Sequence, residues 1–141
     1  MDLEQAREIL IEQSRSKKNG VFPSLVTHEF PMTNPVCGDH VNLKIHIDHQ
    51  EIKAIGYAAK ACAICSASSN MMCMEVNGRS AQHALALAEQ FEDTLFQPAD
   101  ETWPAVLNNL KSFAHLRVNP ARKACALLPW IALRSVIKEM A

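Results

Sequence analysis

"HVNLKIHID" (residues 40–48) decides the fold class, because Val41, Leu43, Ile45 and Ile47 alternate with His40, Asn42, Lys44, His46 and Asp48. Strict alternation sorts apolar and polar side chains onto opposite faces of an extended chain, so this run reads as a half-buried strand. The polar stretch 48–51 turns the chain into a second β-rich run near 52–59, and a further run at 24–30 precedes both. Together they predict an antiparallel three-stranded meander.

On either side of these strands the periodicity changes. Leu3, Ala6, Ile9 and Leu10 form an apolar stripe at helical spacing that ends in a basic turn and Asn19-Gly20, a recognisable helix stop. After Cys62 no strand signal survives: residues 66–75 are small and Met-rich, Asn77-Gly78 is a break, and residues 81–95 are strongly helical. A polar connection at 97–104 leads to a short apolar pattern (Trp103, Val106, Leu107, Leu110). A last helix then runs from about 120 to 140, with Asn119 as N-cap and Pro120 at its first position. The order helix, strands, helices predicts an α+β fold, a three-stranded antiparallel sheet with helices packed on one face, in a single domain over residues 1–141.

A chain of 141 residues buries well over half of its unfolded surface, so neither a metal nor a disulfide is needed to hold it together. Fourteen basic and fifteen acidic side chains give a net charge of −1, with no long basic stretch beyond 15–18, which argues against nucleic acid as a partner. The N-terminus is charged and amphipathic, and 18 apolar residues never run together, so neither secretion nor membrane insertion is expected. The five cysteines are odd in number and spread from position 37 to 125, unlike a small secreted framework. A reducing cytoplasm is the expected location, with the thiols free or on metal.

Three of those thiols sit where elements begin or end. Cys37 lies in the loop before a strand, Cys62 follows the third strand and opens a helix, and Cys125 falls early in the last helix. Asp39 joins them because residues two apart in extended chain point to one side, with Gly38 leaving the backbone free to bend. Three thiolates and a carboxylate make a closed tetrahedral set for zinc, while sulfur-rich ligation also suits iron–sulfur clusters. Free cysteines also serve as small buried hydrophobes, and Cys73, among Met71, Met72 and Met74, reads as core. His40 and His46 share the polar strand face with Lys44 and Asp48 and read as solvated. Cys62-Ala63-Ile64-Cys65 has the spacing of a dithiol pair without a βαβ setting, which leaves Cys65 as an auxiliary thiol or alternative ligand.

"NPVCGD" (34–39), "CAICSASSNMM" (62–72) and "ARKACALLPW" (121–130) resemble, in order, the three cysteine motifs of the IscU/SufU/NifU N-terminal family of iron–sulfur cluster assembly proteins. The resemblance covers nearly the whole chain and implies a small antiparallel sheet with helices packed on it. It places the metal ligands on Cys37, Asp39, Cys62 and Cys125. Ala124 stands where IscU-like scaffolds carry histidine before the last cysteine, and 62 residues separate Cys62 from Cys125, as in the longer SufU-like form. The resemblance is therefore to the SufU branch. It implies a zinc-dependent sulfur acceptor, a possible sulfurtransferase, that takes persulfide sulfur from a SufS-like cysteine desulfurase on Cys37 and passes it toward apo iron–sulfur proteins or a downstream scaffold. The alternative is an IscU-like scaffold that binds iron and assembles a cluster. Three thiolates, a carboxylate and zinc carry net negative charge, so cations close by are expected: Arg122, one turn before Cys125, and Lys60, with the N-terminus of the helix near Cys62. The chain departs from the family in the segment Tyr57-Ala58-Ala59-Lys60-Ala61, in Cys65, in Pro129, which predicts a kink in the last helix, and in "SRSKKNGVF" (14–22).

Overall fold

Helix α1 (Leu3–Arg15) begins where the Asp2 carboxylate accepts the Gln5 N–H at 2.8 Å and Gln5 Oε1 accepts the Asp2 N–H at 3.0 Å. That reciprocal capping box satisfies two donors the helix itself leaves free. The structure, a computed structural model, describes residues 1–140. After α1 come strands β1 (His28–Thr33), β2 (His40–Asp48) and β3 (Glu51–Lys60), then helices α2 (Ala63–Val76) and α3 (Ala81–Leu95). A run of 3-10 turns over Ala105–Val118 and helix α4 (Pro120–Glu139) complete the order.

The strands form one antiparallel sheet in the order β1-β2-β3. The alternation in β2 has its structural counterpart: Val41, Leu43, Ile45 and Ile47 are buried, and the residues between them are half-buried. A two-residue turn, His49 and Gln50, both at positive φ, pairs Asp48 with Glu51. Turns of this kind match the twist of the strands they join. Strand β1 lies further along the chain than the expected 24–30. Leu25 and Val26 look β-prone but are exposed, and pairing begins at His28. Pro31 counts against a strand by composition, yet it is tolerated because β1 is an edge and a missing N–H there costs no ladder bond.

The outer edge of β3 is occupied. Ile52 donates its N–H to Arg79 O at 2.8 Å, Tyr57 donates to Asn19 O at 3.2 Å, and Glu51 bridges Ser80. The chain after α1 crosses so close that a Cβ at Gly56 would fall 2.3 Å from Val21 O, and Phe22 of the same segment stacks under the Lys44 ammonium at 4.4 Å.

Helix α2 is buried nearly all round, from Cys65 to Val76, which is why its sequence shows no stripe. Its polar residues are paired inside the protein. Asn70 accepts from Asn19 Nδ2 at 2.9 Å and donates to Gln13 Oε1 at 2.6 Å, and Ser69 donates to Cys65 O at 2.9 Å. The Trp130 indole N–H donates to Ser68 Oγ at 3.1 Å, and that hydroxyl donates to Ala126 O at 2.5 Å, tying α2 to α4. On the far side, Phe91 of α3 meets Phe113, Trp103 and Trp130 with ring centroids 5.5, 6.5 and 5.2 Å apart. These tilted and edge-on arrangements suit aromatic quadrupoles.

Helix α4 starts as its sequence indicates, with Asn119 Oδ1 accepting the Arg122 N–H at 3.1 Å and Pro120 in the first turn. The kink expected at Pro129 does not end or split the helix, which continues to Glu139. A proline removes the N–H that would reach Cys125 O and weakens that turn. The Ser68 hydroxyl supplies a side-chain donor to Ala126 O in the same turn. Among the described residues, no helix is long and apolar enough to cross a membrane.

Candidate functional site

The loop between β1 and β2 is shaped by Asn34. Its side chain accepts the Val36 N–H at 3.0 Å, its carbonyl accepts the Gly38 N–H at 2.8 Å, and its own N–H donates to Asp39 O at 2.8 Å. An asparagine that bonds its own backbone two residues on is a local turn device. Gly38 takes the positive φ of 77° that closes the loop. The result presents Cys37 at the surface and turns Asp39 inward to 5% exposure.

Cys62 arrives from the end of β3 as the N-cap of α2. Its backbone N–H donates to Asp39 Oδ1 at 2.8 Å, its thiol donates to Asp39 Oδ2 at 3.4 Å, and its Sγ accepts the Cys65 N–H at 3.5 Å. Cys125 comes from the second turn of α4 and is buried at 5% exposure. The ligand atoms of Cys37, Asp39 and Cys125 all lie within 4.8 Å of one another, and Cys62 joins them through Asp39. Cys37, Asp39 and Cys125, drawn from a loop and a second helix, thus meet at one point, with Cys62 at the start of α2 held against Asp39.

The electrostatics of that point are those of crowded acids. Burial pushes the Asp39 carboxyl up, but the N–H of Cys62 and the thiols of Cys37, Cys125 and Cys62 outweigh it, leaving the carboxyl below its ordinary 3.8. Burial, followed by the neighbouring Asp39 and Cys62, pushes the Cys125 thiol far up. Cys65 is driven the same way by its own burial and then by Asp39, Cys62 and Cys37. These groups resist ionising together, and a divalent cation among them would reverse the sign of that penalty. Three sulfurs and one carboxylate oxygen fit a zinc ion by donor type and number.

The two expected cations lie at the margin. Arg122 is exposed, spends its backbone N–H on the Asn119 cap, and lines an apolar groove with Leu3, Ala6, Leu10 and Ile64. Lys60, also exposed, ends β3 opposite His40. No ion pair joins either to Asp39 among the described residues. The positive end of α2, with the Cys62 N–H, is what faces the carboxylate. Sequence reasoning gave no role to Ser68, whose hydroxyl holds the turn after Cys125; the available signal was a cluster of small polar residues in a helix without a solvent face.

The chain has clear relatives. It is 36% identical over 110 residues to the iron-sulfur cluster assembly scaffold protein IscU of Streptococcus pyogenes, covering 78% of this chain and 69% of that protein. It is 27% identical over 135 residues to the zinc-dependent sulfurtransferase SufU of Bacillus subtilis, covering 94% of this chain and 90% of that one. A crystal structure from Fervidobacterium islandicum, described as an iron-sulfur cluster assembly scaffold for the SUF system, superposes with a TM-score of 0.85 at 28% identity, over 92% of this chain and 94% of the other. The family model for the NifU-like N terminal domain matches residues 7–109, which takes in Cys37, Asp39 and Cys62. Cys125 lies beyond that match and is brought to Cys37 and Asp39 by the packing of α4. With its sequence matched across the sheet and its three-stranded α+β architecture shared with these relatives, the chain belongs to the NifU-like N-terminal domain family of IscU and SufU proteins.

Proposed function

We propose that this protein serves iron–sulfur cluster assembly in the cytoplasm as a SufU-like sulfur acceptor for a cysteine desulfurase, with zinc held by Cys37, Asp39, Cys62 and Cys125. The observation that carries this reading is an asymmetry of exposure: Cys37 is at the surface on a glycine-flanked loop, while Asp39 and Cys125 are each 5% exposed. When bound, zinc keeps cysteine sulfur deprotonated at neutral pH, where a free thiol is mostly protonated.

Cys37 is the thiolate that attacks the outer sulfur of the desulfurase persulfide. A bond forms from Cys37 Sγ to that sulfur, the sulfur–sulfur bond of the donor breaks, and the donor cysteine leaves as thiolate, so Cys37 ends as the persulfide. Asp39 orients the start of α2 through the Cys62 N–H, and the buried Cys125 anchors the site to α4. Ala124, in place of the histidine of IscU-like scaffolds, and the 62 residues between Cys62 and Cys125 support the SufU branch. The competing reading, a scaffold that binds iron and builds a cluster for apo-proteins, is favoured by the 36% identity to a protein named as an IscU scaffold.

Two measurements on protein purified anaerobically without added metal separate them. The acceptor reading expects about one zinc per chain, no visible chromophore, and loss of desulfurase stimulation in Cys37→Ser with the fold retained. Iron with acid-labile sulfide, or normal stimulation by Cys37→Ser, would overturn it.

A further inference from the structure

Cys65 has no place in the four-residue set, yet it lies one helical turn from Cys62, as the third residue of α2 to the N-cap. The Cys62 Sγ accepts the Cys65 N–H at 3.5 Å. Residues three apart on a helix hold their Cβ atoms about 5–6 Å apart, so a disulfide, which needs about 3.5–4.5 Å, closes with a small backbone shift at Cys62, whose N-cap backbone is extended and outside the regular helix. The two thiols are also unequal in access: Cys62 is half-buried, whereas Cys65 is 0% exposed. Thiol–disulfide exchange uses that inequality, because one sulfur must meet an outside partner and the other must reach only its neighbour. Cys73 is two further turns along α2 and fully buried, while Cys37 and Cys125 come from other elements.

We propose that Cys62 and Cys65 form a dithiol–disulfide couple that exchanges with small disulfides. The Cys62 thiolate attacks one sulfur of a disulfide R–S–S–R, releasing RS⁻ and leaving a mixed disulfide on Cys62. Cys65 attacks the Cys62 sulfur and passes its proton to the second RS⁻ as that group leaves, closing the Cys62–Cys65 bond. Two protein thiols are oxidised, one external disulfide is reduced to two thiols, and the two protons end on those thiols. Closure withdraws Cys62 from Asp39 and leaves Cys37, Asp39 and Cys125 without it. The couple stands whether or not Cys37 accepts sulfur.

The test uses the whole purified chain, stripped of metal with a chelator and equilibrated with graded ratios of reduced to oxidised glutathione. The samples are acid-quenched, alkylated, digested and read by mass spectrometry. Wild type is expected to yield a peptide in which Cys62 and Cys65 are linked, with both thiols lost together as the ratio becomes oxidising. Cys65→Ser, with Cys65→Ala as a second variant and far-UV circular dichroism to verify folding, is expected to stop at a glutathione mixed disulfide on Cys62. Cys73→Ser is expected to behave as wild type. A wild type that accumulates the mixed disulfide as the Cys65 variants do, links Cys62 to Cys37 or Cys125 instead, or leaves Cys62 unmodified would overturn the proposal.

Discussion

The Asp39 carboxylate and Cys62 are joined twice, by the Cys62 N–H on Oδ1 at 2.8 Å and by the thiol on Oδ2 at 3.4 Å. One short acidic side chain therefore fixes the loop before β2 to the first turn of α2. Asp39→Asn keeps an amide oxygen for the N–H but removes the charge. It is expected to retain the fold while losing most of the zinc that the acceptor reading expects in wild type, measured by elemental analysis beside urea unfolding. Asp39→Ala removes the acceptor as well and is expected to cost about 1–3 kcal/mol in metal-free protein, the usual penalty for stranding a buried donor.

Ser68 is asked to serve two partners at once, accepting from Trp130 Nε1 and donating to Ala126 O. Ser68→Ala strands the Trp130 indole N–H inside the protein and removes the tie to Ala126 O, and it is expected to lower stability by about 1–3 kcal/mol. Equilibrium urea unfolding followed by tryptophan fluorescence reads both the stability and the Trp130 environment. An unchanged midpoint would show that the hydroxyl is dispensable to α4.

Gly56 sits where a methyl group would strike Val21 O at 2.3 Å. Since the obstacle is backbone, Gly56→Ala is expected to displace the 19–22 segment and cost about 1–3 kcal/mol by overpacking. Amide hydrogen exchange is expected to show faster exchange at Tyr57, whose N–H rests on Asn19 O.

The alkaline limit of stability is set in part by Cys73, whose thiol burial pushes up from 9.0 to about 12. Below pH 9 the thiol is protonated in both folded and unfolded chains, and its contribution is fully present. Between 9 and 12 the unfolded chain sheds the proton and the folded one keeps it, so stability falls as pH rises, by up to about 1.4 kcal/mol per unit. Cys73→Ala is expected to flatten this part of a stability profile measured by denaturant unfolding from pH 8 to 11.

What the sequence revealed and what it withheld follow from the range of the interactions involved. The β2 alternation and the Asn119-Pro120 helix start are local signals, and both elements lie where their residues indicate. Strand β1 was displaced because strand formation there depends on partners in β2, not on the β-prone Leu25 and Val26. The pairing of polar residues in α2 depends on contacts between helices far apart in sequence. For the site, the residues came from three quoted motifs and a family resemblance. Spacing alone could not bring Cys125 to Cys37, since that distance is set by how α4 packs on α2 and β1.

The borders of the sheet bear on how other molecules recognise this protein. On one side β1 carries Pro31, which offers no donor, and on the other β3 is engaged by Asn19, Arg79 and Ser80. A visiting chain that tried to lengthen the sheet would meet a border short of donors on one side and sealed at its ends on the other. That arrangement suppresses promiscuous self-association through strand addition. A partner of the kind proposed above would then be recognised by shape and side-chain chemistry around the Cys37 loop and the helix surfaces, and could come and go without unzipping backbone.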